Sequence, residues 1–352
     1  MPVAAIAAER LHNQRLTTPG PRQAADLVAW FGAVQAQDIP AAKWALGLRL
    51  PDGATDREVQ RALDDGRIVR THVMRPTWHF VAAADIHWML ELTAPRVRRA
   101  LGFANRYYEL DDTTCARARR IIERALRDAE SLTRAELGGH LSRAGIVAKG
   151  PRLAMLSIHA ELEGVVCSGP ARGKLQTYAL LARRVPTVTR LARDEALAEL
   201  TGRYFRSHGP ATIRDFVWWS GLTTADARRG LEIAGGKRQE IGACTYWTVA
   251  ERPERRRPKA TVHLLPIYDE YLVAYRDLYA VPRRSGSGGV LEQAVVVAGQ
   301  VAGTWKPVVR ADGTSVAITA HRTLTRHERR GLTDTAVRYG RFLERPVSVI
   351  MA

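Results

Sequence analysis

The chain has 352 residues, enough for two or three domains that each bury a core. With 46% hydrophobic and 25% charged residues the composition is that of a globular protein and excludes a disordered or fibrous chain. Lys+Arg exceed Asp+Glu by 53 to 36, a formal net charge of +17, which points to a polyanionic partner.

Lysines stand only at Lys43, Lys149, Lys174, Lys237, Lys259 and Lys306, so nearly all the positive charge is guanidinium, suited to phosphates and base edges. A genomic preference for Arg codons would explain the Arg-to-Lys ratio but not the excess over acids.

Taken in chain order, Pro21 suits a first helical turn, and Ala25, Leu27, Val28, Phe31 and Val34 recur near helical spacing, so residues 22–34 read as a helix. Pro40 then disfavours helix at Ile39, and 35–40 read as a helix exit into extended chain. Residues 55–63 read as a second helix. Residues 67–81 read as β, with Val73, Arg75, Thr77, His79 and Val81 on one face and Met74, Pro76, Trp78 and Phe80 on the other. Helix, helix, β-ribbon is the order of a winged helix.

The order then recurs. Residues 114–129 form a long Arg-rich helix, Thr133 and Glu136 are spaced as a capping box opening another, and 151–163 follow as a candidate recognition helix. Strands at 165–168 and 174–181 are joined by a basic turn at 169–173, and Arg172 in the turn and Lys174 at the start of the second strand are candidate DNA contacts. A third copy starts near Val188: helices at 194–204 and 224–233, Thr212 and Asp215 echoing Thr133 and Glu136, and a ribbon at 238–249. Residues 252–259, with Arg255, Arg256 and Arg257 between Pro253 and Pro258, read as a linker or a phosphate-contacting loop. A β-rich tail follows, with strands at 261–265, 294–297, 301–309 and 316–319, a Gly/Ser turn at 283–289 and a closing helix at 325–343.

The expected fold class is α+β, mostly helical, built from tandem winged-helix (helix-turn-helix) units at 1–90, 91–187 and 188–258, with a β-rich C-terminal region at 259–352 packed on them. Cys115, Cys167 and Cys244 are far apart and odd in number, which argues against a disulfide framework or a zinc site. His12, His72, His87 and His263 have no metal-ligand spacing, and there is no Gly-rich phosphate loop or Ser-nucleophile motif. The first residues lack a charged leader and no apolar run approaches the roughly 20 residues of a membrane span, so a soluble, cytoplasmic protein associated with the nucleoid is expected.

Several strings resemble the AlkZ/YcaQ group of bacterial DNA glycosylases. They are His12-Asn-Gln-Arg-Leu16, Gly32-Ala-Val-Gln-Ala-Gln-Asp38, Ile68-Val-Arg-Thr71 with Met74-Arg-Pro-Thr-Trp-His-Phe-Val81, Arg203-Tyr-Phe-Arg-Ser-His-Gly-Pro-Ala211 with Asp215-Phe-Val-Trp-Trp-Ser-Gly-Leu222, and Leu264-Leu-Pro-Ile-Tyr-Asp-Glu-Tyr-Leu-Val-Ala-Tyr275. They run in order along nearly the whole chain. The group's catalytic signature is Gln, an apolar residue, then Gln or Asp; Gln35-Ala36-Gln37 is similar to the Gln-ending form. The resemblance implies excision of N7-alkylated purines from double-stranded DNA, including bulky natural-product adducts and, in some members, interstrand crosslinks. It implies no metal or organic cofactor and action as a monomer without an obligate protein partner, in antibiotic self-resistance or in general repair.

Amides in place of carboxylates make chemical sense. N7 alkylation puts a positive charge on the purine, which then leaves neutral with little acid assistance. What remains is to orient a water and stabilise an oxocarbenium-like sugar. In extended chain Gln35 and Gln37 point the same way and could share one water, whereas in a helix they diverge by about 200°. Without the resemblance, two amides satisfying loop backbone is the plainer reading.

Arg75, Thr77 and His79 are expected to clamp phosphates, or to form a plain solvated strand face. Asp38, Asp269 and Glu270 are the alternative water-activating carboxylates, though Asp38 alternates away from the glutamines and the other two could be buried partners of arginines. Trp218 and Trp219 could stack on a base, or sit in the core. A non-enzymatic winged-helix regulator and a carboxylate-driven hydrolase are the rival readings.

Overall fold

A computed structural model describes residues 3–18, 20–249, 261–276, 281, 292–310 and 313–351. After a leading helix α1 (Val3–Asn13), the order helix, strand, helix, helix, strand, strand is laid down twice in full and a third time with a single bridge for its first strand. The first copy comprises α2 (Ala24–Phe31), β1 (Val34–Gln35), α3 (Ile39–Gly47), α4 (Asp56–Asp64), β2 (Ile68–His72) and β3 (Trp78–Ala82), and its strands lie in the order β1-β3-β2. Helices α5 (Ile86–Ala100) and α6 (Gly102–Tyr107) lead to the second, made of α7 (Asp112–Asp128), β4 (Leu132–Thr133), α8 (Arg134–Arg143), α9 (Gly150–Leu162), β5 (Val166–Ser168) and β6 (Thr177–Leu180), ordered β4-β6-β5. A short α10 (Leu181–Arg184) precedes the third: α11 (Arg193–Ser207), α12 (Ile213–Ser220), α13 (Thr224–Ile233), β7 (Lys237–Ile241) and β8 (Cys244–Thr248). There Ala211, bridged to Trp247, stands where the first strand would be.

The tail consists of β9 (Val262–Leu265), α14 (Glu270–Val273), β10 (Ala294–Val297), β11 (Gln300–Arg310), β12 (Gly313–Ala320), α15 (Arg326–Phe342) and β13 (Val347–Met351). Its strands form one sheet ordered β13-β12-β11-β10-β9, antiparallel except where β13 runs parallel to β12. The mixed α+β class is as expected. No helix among the described residues is long and apolar enough to cross a membrane.

The second helix of each copy begins on a side-chain cap that its sequence encodes. Asp38 accepts from the Ala41 N–H, and Thr133 with Glu136 and Thr212 with Asp215 form reciprocal capping boxes. The first of these corrects the expectation for 35–40: Ile39 opens α3 instead of leaving a helix, because Pro40 falls in the first turn, where its missing N–H costs nothing.

The span 67–81 also differs from the expected single strand. Residues 73–77 form a tight turn, with Met74 at φ 64° and bonds from the Arg75 N–H to Val73 O and from the Thr77 N–H to Arg75 O, both 2.7 Å. Pro76 has no N–H to give a ladder, so the strand breaks there. Arg75, Thr77 and His79 therefore do not share a strand face. Arg255, Arg256, Arg257 and the 283–289 turn lie outside the described residues.

Three apolar clusters hold these pieces. One joins the first copy to the tail through Phe31, Trp44, Val295 and Phe342, with the Trp44 indole donating to Leu264 O at 2.9 Å. A second unites the first and third copies through Val69, Val81, Leu200, Tyr204 and Trp219. The third lies within the second copy and the end of α5, around Ile122, Leu137, Leu156 and Val97.

Candidate active site

Gln35 ends β1, the edge strand of the first sheet, and Gln37 lies in the short connection between β1 and the Asp38 cap of α3. Ala36, between them, is fully buried and donates to Trp78 O at 2.8 Å, which locks the connection against β3. Gln35 is 7% exposed and Gln37 is exposed. Both amides reach the 75–78 segment: Arg75 Nη2 donates to Gln35 Oε1 at 2.8 Å, and the Trp78 N–H donates to Gln37 Oε1 at 3.3 Å. Because both partners only donate, both amide orientations are fixed. Each carbonyl oxygen keeps a second lone pair, and neither Nε2 donates to a described residue.

Two arginines frame the pair. Arg70 lies over the Trp78 ring at 3.9 Å and donates from Nε to Ala36 O at 2.9 Å and from Nη2 to Gln37 O at 3.4 Å. Burial pulls its guanidinium down to about 10, so it is still cationic at neutral pH. The His72 ring also packs against Trp78, centroids 4.1 Å apart, and its Nδ1 contacts the buried Glu161 carboxylate. Arg75, also lowered by burial and raised by nearby Glu270, sits 5.8 Å over the half-exposed Trp218 and leaves its Nε without a partner among the described residues. Arg70 stands in the Ile68–Thr71 string of the resemblance but is not singled out there as a site residue, since its place beside Trp78 depends on the ribbon's fold.

The remaining expected residues fall as follows. Thr77 is half-buried in the turn, and His79 is fully buried, so neither presents an exposed phosphate clamp. The His79 Nδ1 faces Thr77 O at 2.8 Å, so Nδ1 carries the proton, and burial followed by the charge of Arg75 holds the ring well below its ordinary value and neutral. Asp38 is exposed but its Oδ1 is used as the α3 cap, 2.9 Å from the Ala41 N–H. Asp269 is sealed in a two-pronged pair with Arg49, both contacts 2.8 Å. Glu270 is 2% exposed and pairs with no arginine among the described residues; its Oε1 accepts from the Gln35 N–H at 2.6 Å and its Oε2 from Trp219 Nε1 at 3.0 Å. Trp219 is thus core, and Trp218 half-exposed. Arg172 and Lys174 are exposed at the β5–β6 hairpin, where Arg172 pairs with Glu136.

The third copy carries a basic surface the sequence did not single out. A cavity of about 760 Å³ is lined by Arg214, Arg228, Arg238 and Arg276, drawn from α12, α13, β7 and the chain after α14. Among the described residues no group of His, Cys, Asp and Glu is placed to hold a metal ion.

Basic surfaces together with an amide pair at a sheet edge fit an enzyme that works on nucleic acid. A family model described as DNA glycosylase AlkZ-like matches residues 28–342. The chain belongs to the AlkZ-like DNA glycosylase family and is a DNA glycosylase, a hydrolase of DNA repair, which sets aside the reading as a non-enzymatic regulator. Among solved structures it is similar to Streptomyces sahachiroi DNA glycosylase AlkZ, with a TM-score of 0.78 and 22% identity over 99% of either chain. No curated protein sequence matches it.

Proposed function

We propose that the enzyme hydrolyses the N-glycosidic bond of cationic N7-alkylated purines in double-stranded DNA, with Gln35 and Gln37 orienting the water. The observation that carries this reading is the placement of the candidates. Asp269 and Glu270 are buried and hydrogen-bonded and Asp38 caps a helix, while Gln37 is exposed and both glutamine amide oxygens accept from the 75–78 segment.

A water held by the second lone pairs of Gln35 Oε1 and Gln37 Oε1 attacks C1′ as the electrons of the C1′–N9 bond leave with the purine. The alkylated purine departs neutral and the water's proton passes to solvent. The amide oxygens carry partial negative charge towards the oxocarbenium-like sugar, and the free Nε2 groups donate to acceptors on the nucleotide. Unmodified purines leave as anions unless protonated, and a glutamine supplies no acid.

The three topological repeats are winged-helix units, spanning 1–90, 91–187 and 188–258, with 259–352 as the β-rich region that closes the first. They grip the duplex through Lys174, Arg75 and the arginine-lined cavity of the third unit. With Gln37 at the surface, a bulky guanine adduct or an interstrand crosslink is attacked within the duplex, without rotation of the nucleotide into a closed pocket. The enzyme acts as a monomer on the nucleoid.

The test is abasic-site formation in duplexes carrying N7-methylguanine, bulky N7-guanine adducts or an N7–N7 crosslink. Excision by the wild type that is lost on Gln35→Ala with Gln37→Ala, at unchanged duplex affinity, is expected. Full activity in that double variant would return the chemistry to a carboxylate.

A further inference from the structure

We infer that Glu270 is the positioning residue of this site, fixing Gln35 by its backbone and cancelling the charge of Arg75 beside a cationic transition state. The inference rests on the reading of Gln35 given above.

In an antiparallel pair the N–H groups of successive residues point alternately towards and away from the partner strand. Ala36 donates to β3, so the Gln35 N–H points out of the sheet, to the side where no further strand lies. A buried N–H needs an acceptor. Here it is supplied by a side chain 235 residues away, at a short 2.6 Å. A carboxylate is a costly choice for that task, since burying its charge demands compensation that a neutral acceptor would not. Among the described residues none of its hydrogen-bond donors is an arginine or lysine: they are the Gln35 N–H, the Trp219 indole and, at 3.3 Å, His208 Nε2, a ring that burial keeps below its ordinary value.

The compensation comes through Gln35. Arg75 feels the charge of Glu270 yet spends its hydrogen bond on Gln35 Oε1. Gln35 is therefore held between a carboxylate behind its backbone and a guanidinium on its amide. A lone guanidinium there would oppose both a cationic purine and an oxocarbenium-like sugar; Glu270 restores neutrality while remaining out of reach of the water.

The experiment is single-turnover excision of N7-methylguanine by E270Q, R75M and the double variant, with duplex Kd measured alongside. E270Q is expected to lose about a hundredfold in rate with Kd within twofold. The double variant is expected to fall below E270Q by clearly less than the factor that R75M loses alone, because removing Arg75 rebalances the charge while its bond to Gln35 is lost in either background. Losses that multiply in the double variant, or a wild-type rate in E270Q, overturn the inference.

An independent readout is the Gln35 amide proton in glutamine-labelled protein. It is expected far downfield in the wild type and shifted upfield in E270Q; an unmoved resonance overturns the contact. Should E270Q fail to fold, E270D keeps the charge and shortens the reach, and the same upfield shift with a slower rate at unchanged Kd is expected; no change in either refutes it. A wild type that excises nothing would defeat the proposed reaction, while the Gln35 resonance would still decide whether Glu270 holds this residue.

Discussion

Replacing Arg75 by Met removes the guanidinium and keeps much of its length. Among the described residues Arg75 makes one side-chain hydrogen bond, 2.8 Å to Gln35 Oε1, and its buried Nε has no partner. A hydrogen bond to a charged group contributes about 1.5–3 kcal/mol. If that bond fixes the amide that orients water, its loss slows excision about 10- to 150-fold at roughly 1.4 kcal/mol per factor of ten. Stability should hardly fall, because the substitution also relieves a buried cation whose desolvation already lowers its pKa. The assay is single-turnover cleavage of an N7-methylguanine duplex at abasic sites, with anisotropy for Kd and a thermal melt for Tm. The expected result is a rate loss well beyond the loss in affinity, at a Tm within a few degrees of wild type. Rate and affinity falling by one common factor would mean that Arg75 only grips phosphate and does not set the Gln35 amide.

His263 is buried, and desolvation followed by the charge of Arg49 pushes it down to about 4. The unfolded chain therefore binds a proton that the native state refuses: stability is complete above about pH 6.5 and declines as the pH falls towards 4, by up to about 3 kcal/mol from this group. Denaturant melts at pH 7 and pH 4.5 should show a smaller acid loss in His263→Asn, and an equal loss would exclude His263 as the cause. Gly221 ends α12 at φ 71°, and an added Cβ would stand 2.3 Å from Met74 O, in the turn that carries Arg75. Gly221→Ala should cost about 1–2 kcal/mol of left-handed strain plus the clash, and slow excision as the turn shifts; an unchanged melt and rate would argue against this coupling. Lys174 has no ion-pair partner among the described residues, whereas Arg172 pairs with Glu136. Lys174→Ala should therefore lower the salt slope of duplex binding by about one, and Arg172→Ala by less; equal slopes would show that neither meets phosphate.

Elements that announce themselves locally were legible in the sequence. The capping boxes at Thr133 and Thr212 start α8 and α12, the 224–233 helix is found at those bounds, and the tail strands at 294–297 and 301–309 lie where the alternation put them. Pro40 misled because one residue type serves two opposite signals. It forbids helix behind it in a chain already helical, yet it begins one when an Asp38 cap precedes it. The turn at 73–77 was hidden by regular alternation, which continues across a tight turn when the turn residues happen to keep the pattern. Strand β13 and the roles of Arg70 and Glu270 were not legible, since each is defined by a partner far along the chain: β12 for β13, Trp78 and the Ala36 carbonyl for Arg70, and the Gln35 N–H for Glu270.

The location of the amide pair follows from the repeated topology. In the second copy the first strand, Leu132–Thr133, runs straight into its capped helix, and in the third Ala211 is adjacent to the Thr212 cap. Only the first copy inserts residues between strand and cap, and those residues are Ala36 and Gln37. The insertion lets the chain run on past the edge strand against Trp78, so that two amides rather than one meet the 75–78 segment. A sheet edge is where backbone groups lack partners, and each copy must cover its own. The first copy covers the Gln35 N–H with a carboxylate from α14, which makes the tail part of the site and not merely a cap on the fold. Deleting Ala36 and Gln37 together would put the Asp38 cap directly after the strand, as in the third copy. The fold should survive and excision should vanish with duplex binding intact, whereas retained excision would mean that the chemistry lies elsewhere.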